Sequence, residues 1–148
     1  MNKEELLILQ KSLIDLIEDY IGDNDELNYF TESILVEGLD LSELYIAALY
    51  NNKFELADLI IQSERYDIQH DKKLQVEFFN WGNTYRDECI EKCLVDGFIP
   101  DAWTTMDIMN LLNANRKDTN RNLIYNMLLL LLRAYKIKKI IARIRASQ

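Results

Sequence analysis

Apolar residues recur at three- and four-residue steps along almost the whole chain, and polar breaks divide that pattern into eight segments. In the first, Lys3 to Ile21, the residues Leu6, Leu9, Leu13, Leu16, Ile17 and Tyr20 form one stripe of an amphipathic helix. Gly22 is predicted to stop it in the left-handed conformation. A second helix fits Asp25 to Val36, with Leu27, Phe30, Ile34 and Leu35 inward and Gly38 as its end. Ser42 suits the N-cap of a third, Glu43 to Tyr50, with Leu41 stapled onto Ile46. Asn51-Asn52 breaks that helix, and Asn52 with Glu55 opens a fourth that runs to about Gln62.

Ser63 to His70 is polar and reads as loop, with Tyr66-Asp67-Ile68 extended at most. A fifth helix spans about Asp71 to Trp81, and Gly82 is predicted to stop it. Thr84 with Asp87 caps a sixth, running to Val95. Thr104 with Asp107 caps a seventh, Thr105 to Leu112, and Trp103 falls in the loop before it. After a loop from Asn113 to Asp118, a long final helix covers about 119–146. No alternating pattern of useful length marks a strand.

The helices pair, and the pairs recur. Gly22, Asn52, Gly82 and Asn113 each separate the members of a pair, at steps of 30, 30 and 31 residues. A fixed period near 30 marks a stacked helical array, because one hairpin cannot bury its own apolar face. The predicted fold is therefore all-α: stacked antiparallel helical hairpins with a long C-terminal helix, in a single domain over residues 1–148. A compact helical bundle is the alternative.

One unit resembles an ankyrin repeat. Ser42-Glu43-Leu44-Tyr45-Ile46-Ala47-Ala48 is similar to the family's Thr-Pro-Leu-His-x-Ala-Ala, and Asn52 to Ile61 to its Gly-His-x-Glu-Val-Val-x-Leu-Leu-Leu, with one residue inserted between the helices. Leu35-Val36-Glu37-Gly38 and Leu94-Val95-Asp96-Gly97 resemble the Leu-Leu-x-x-Gly end of a repeat. The likeness extends over about 22–112, is clearest at 42–61, and lacks Pro at every Thr-Pro position. It implies protein–protein recognition without catalysis.

Composition agrees with a helical chain: Gly occurs four times and Pro once in 148 residues, well under their usual shares of about 7% and 5%. Charge changes the picture more. Residues 1–110 carry 8 Lys+Arg against 24 Asp+Glu, whereas 111–148 carry 9 against 1. An acidic body repels nucleic acid, and a basic tail attracts acidic surfaces, lipid or phosphate. The split also allows two copies to pair, acidic body to basic tail. No secretory signal opens the chain, and the apolar run Met127 to Leu132 is far shorter than the roughly 20 residues of a spanning helix. No transmembrane segment and a cytoplasmic location are expected.

Catalytic chemistry finds no support. His70 is the sole histidine and sits in a charged loop; Cys89 and Cys93, four apart, suit buried thiols better than a redox or zinc pair. Four scattered Gly cannot build a phosphate loop. No catalytic, metal-binding or cofactor-binding residue is expected, no cofactor and no small-molecule substrate. The chain reads as a non-enzymatic module that binds, blocks or recruits a protein partner. Candidate contacts are Glu37, Asp40, Tyr45, Glu64, Arg65, Asp67, Phe79, Trp103, Lys136, Lys139 and Arg143. Two alternatives stand beside it: an acidic inhibitor, such as a viral or phage anti-defence protein, filling a nucleic-acid-binding groove; and a basic C-terminal helix lying on a membrane surface or on nucleic acid. That tail carries Ile137, Ile140, Ile141 and Ile144 among its cations, a stripe that either closes the core or meets a partner.

Overall fold

The computed structural model describes residues 1–113 and 119–148; the predicted loop at 114–118 lies outside them. Among the described residues there are eight α-helices and no strand: α1 Lys3–Asp19, α2 Asn24–Ser33, α3 Leu41–Tyr50, α4 Phe54–Gln62, α5 Lys72–Asn83, α6 Asp87–Val95, α7 Ala102–Asn113 and α8 Thr119–Ala146. The all-α reading and the long final helix are both observed. The chain divides into two compact units, Met1–Leu74 and Gln75–Gln148, with the boundary inside α5.

In the first unit, α3 and α4 are joined by only three residues and pack together; α1 packs on α3, and α2 on α4. Leu13, Ile17, Phe30, Ile34, Leu44, Leu49, Leu56 and Ile60 are all buried between these pairs, while Leu35, expected inward, is 50% exposed. Ala48 and Ala57 are buried too, small residues that let helices approach closely.

The pair-to-pair joint is polar. Gln10 of α1 donates its amide nitrogen to the Asp40 carbonyl at 3.0 Å and accepts the Asp40 N–H at 3.0 Å. Asp40 then caps α3, accepting the Glu43 N–H at 3.1 Å. Ser42, the predicted cap, is the second residue of the helix, two positions past Asp40, and donates its hydroxyl to Asp71. Burial alone would raise the Asp40 pKa; the hydrogen bonds from Lys73 and from the Glu43 backbone outweigh it and hold the carboxylate below its usual range.

At the other end of α1, Tyr20 donates to Glu55 at 2.8 Å and its carbonyl accepts from Lys53 at 2.6 Å. Burial, then the hydrogen bond to Glu55 and its charge, pushes the Tyr20 phenol from 10.0 up to about 12. The folded chain thus holds this proton more tightly than the unfolded chain does. The stability so contributed is complete below pH 10 and is lost as pH rises from 10 to 12. Urea unfolding midpoints measured across that window should fall in the wild-type chain, and Tyr20→Phe should flatten the slope.

In the second unit, α8 packs on both α6 and α7. Phe78, Trp81, Ile90, Cys93, Phe98, Ile108, Leu112, Ile124 and Leu128 fill its core. Phe78 and Phe98 meet with ring centroids 5.4 Å apart. The polar joint of the first unit recurs: Gln75 donates to the Ile99 carbonyl and accepts the Asp101 N–H, both at 3.2 Å. Asp101 caps α7 through the Thr104 N–H at 2.7 Å. The predicted Thr104 cap is therefore displaced by three residues, and Trp103 lies in the first turn of α7 rather than in a loop.

Gly82 does not stop α5. The helix continues to Asn83, and Tyr85 takes the left-handed turn at φ +60°. A Cβ on Gly82 would sit 2.0 Å from the Ile108 methyl, so the residue is there for close approach of α5 to α7. With the stop moved, the spacing changes. Asn52 and Tyr85, which turn the chain after α3 and α5, are 33 residues apart, as are Glu64 and Gly97 after α4 and α6. The same bond closes both first turns: Lys53 N–H to Ala48 carbonyl at 2.8 Å, and Arg86 N–H to Trp81 carbonyl at 2.9 Å.

Candidate functional interface on the last helix

An α-helix turns 100° per residue, and α8 uses that geometry twice. Ile124 and Leu128 are buried against its neighbours, and Tyr135, half-buried on the same side, donates its hydroxyl to the Pro100 carbonyl. Roughly opposite them stand Leu123, Leu130, Ile137 and Ile144, at seven-residue intervals and 50%, 62%, 57% and 53% exposed. Met127, Ala134 and Ile141 fall between them, which completes the alternating three- and four-residue spacing of a coiled-coil seam. Nothing among the described residues covers it.

The seam has charged borders. Helical rotation puts Arg133 along one side and Lys138 and Arg145 along the other. Residues 119–148 contain seven Lys+Arg and no Asp or Glu. Arg121 is buried in an ion pair with Asp87; the other six are exposed and, among the described residues, in no ion pair. Beside the N-terminal half of the seam, Met127 and Leu130 share a shallow cleft of about 210 Å³ with Leu94, Phe98 and Leu131. Exposed Val95 stands next to Leu94 at the end of α6.

The Ile stripe therefore does not close the core. Hydrophobic periodicity alone located an apolar tail; the seven-residue step from Leu123 to Ile144 was the available signal that α8 has a second apolar face, and the run Met127 to Leu132 masked it.

The other candidate contacts scatter. In the first unit, Glu37, Glu64, Arg65 and Asp67 are exposed, and Arg65 donates to the Leu35 carbonyl, which draws the segment after α4 to the turn after α2. Asp40 is occupied by α3 and Lys73. Tyr45 needs correction: it is fully buried, its ring 5.2 Å from that of Tyr66, so it offers no surface to a partner. In the second unit, Phe79 on α5 and Trp103 on α7 are exposed. Lys136, Lys139 and Arg143 are exposed on α8.

Burial pushes both the Cys89 and Cys93 thiols above their ordinary pKa, which keeps them protonated near neutrality. Among the described residues no cluster of His, Cys, Asp or Glu could hold a metal ion, and no helix is long and apolar enough to cross a membrane. Comparison with family models, curated proteins and solved structures finds no match to this chain.

Proposed function

We propose that this chain is a non-enzymatic protein-binding module built from ankyrin-like helical hairpins, and that its last helix receives an acidic, amphipathic helical surface. The observation that carries this reading is the seam Leu123–Leu130–Ile137–Ile144, which nothing among the described residues covers, bordered by exposed cations that are in no ion pair among those residues. An exposed apolar stripe of that length is costly to leave in water unless something covers it. Its seven-residue period suits another helix. Cations on both borders select for carboxylates on that helix and against a second cationic one. The 33-residue spacing of the turns supports the ankyrin-like part of the reading, since that is the family's period.

The test uses a designed acidic peptide with Leu at heptad core positions and Glu at the flanks, followed by fluorescence anisotropy. The wild-type chain should bind it at low salt, with affinity that falls as salt rises. Ile137→Ser/Ile144→Ser should weaken binding by at least about tenfold, which corresponds to roughly 1.4 kcal/mol. Both positions are exposed, so helicity should not change. Equal affinity for the wild type and the double variant would sink the reading; so would binding to anionic vesicles but not to the peptide.

A further inference from the structure

The first helix of the chain has the opposite character to the last. On α1, Leu7 and Ile8 are 67% and 61% exposed, and Ile21, just past its end, is 88% exposed. Leu7 and Ile8 lie about 100° apart on α1, away from the Leu13 and Ile17 side that is buried, with the exposed Glu4, Lys11, Asp15 and Glu18 between them. Around them the charge is acidic: residues 1–33 contain nine Asp+Glu and two Lys. Glu4, Glu5, Asp15, Glu18, Asp19, Asp23, Asp25 and Glu32 are all exposed.

From this we infer that the chain assembles head to tail with copies of itself, the α8 seam of one copy seated on the exposed α1 face of the next. The inference rests on the seam reading above and names its occupant. Two observations select a second copy. Each face carries exposed apolar residues that nothing among the described residues covers, and the exposed charges are opposite: eight acids and two Lys on and around α1 and α2, six cations and no acid on α8. Pairing two α8 helices would instead set six exposed cations against six, a repulsive arrangement along a coiled-coil seam. The contact is heterologous, so a pair keeps one free face of each kind, and assembly proceeds to a ring or an open chain of copies.

Sedimentation velocity on the full chain tests this. The wild type should shift to larger species as concentration rises, and back toward monomer as salt screens the opposed charges. Ile137→Glu/Ile144→Glu destroys only the α8 face, and Leu7→Lys/Ile8→Lys only the α1 face, so each variant alone should be monomeric. Mixed together, they should form a one-to-one heterodimer that grows no further, because one intact face remains on each. Circular dichroism of both variants should match the wild type, since all four positions are exposed.

A wild type that stays monomeric at every concentration overturns the inference. So does self-association of Leu7→Lys/Ile8→Lys, or a mixture that fails to pair. A monomeric chain that still binds the acidic peptide removes the second copy as occupant and leaves the seam reading intact. A chain that binds neither removes both.

Discussion

Replacing Tyr45 with alanine lowers the stability of the chain by about 3–5 kcal/mol, the usual cost of deleting a fully buried aromatic side chain. The side chain is completely enclosed and packs on Tyr66 with ring centroids 5.2 Å apart at an interplanar angle of 38°. Tyr66 in turn donates its hydroxyl to Asp71, and Asp71 caps α5 through the Lys73 N–H at 3.0 Å. Emptying the Tyr45 site therefore leaves a cavity and also loosens the segment that leads into α5. In a chain of this size, thermal unfolding should shift down by roughly 10–15 °C. Glu37→Ala and Asp67→Ala, at exposed positions, should change stability by no more than about 0.5 kcal/mol. A Tyr45→Ala chain that melts with the wild type and loses only partner binding would return Tyr45 to the surface.

The contrast shows what the sequence could and could not supply. Helix number and placement were legible because 3.6-residue periodicity records which side of each helix is buried; Leu13, Ile17, Phe30 and Ile34 fell where their spacing put them, whereas Leu35, also expected inward, is half exposed. Tyr45 was misplaced because adjacent Leu44 and Tyr45 are both buried, so α3 is enclosed over more than one stripe. Periodicity loses its signal when a helix has neighbours on two sides.

Caps failed for a different reason. Ser42, Thr84 and Thr104 each had the right local pattern, yet Asp40 and Asp101 cap α3 and α7, while Arg86 precedes α6 without a side-chain capping bond. Gln10 and Gln75 hold the Asp40 and Asp101 backbones from helices 30 and 26 residues away. A tie over that distance decides where a helix can start, and local propensity does not record it. Gly82 shows the same limit: as a sequence signal it is a stop, but in the structure it is the space into which Ile108 fits. The seam on α8 lay between these cases. Its residues were visible and its period was regular; what the sequence could not show was that α6 and α7 occupy only one of the two apolar faces.

Removing Asp87 should destabilise the second unit by about 3–5 kcal/mol, because it strands a buried cation. Arg121 on α8 is 4% exposed as a residue; its Nη2 donates to the Asp87 carboxylate at 2.9 Å, and its guanidinium carbon lies 4.5 Å from the centre of the Tyr85 ring. Its Nη1 is buried without a hydrogen-bond partner among the described residues. With Asp87 gone, the ring can offset only part of the loss, about 0.5–2 kcal/mol for such a contact. Asp87→Ala should therefore lower the urea midpoint sharply, and the loss should persist at high salt, since a buried pair is poorly screened. Arg121→Met in the Asp87→Ala background should recover much of the stability, because an apolar chain of similar length needs no counter-charge. That recovery separates a stranded charge from a lost contact: were Asp87 important only for α6 packing or its helix end, the second substitution would add to the damage. The pair links α6 to α8 at the base of the helix whose outer face carries the seam. Loosening it should weaken whatever docks there, with no exposed seam residue altered.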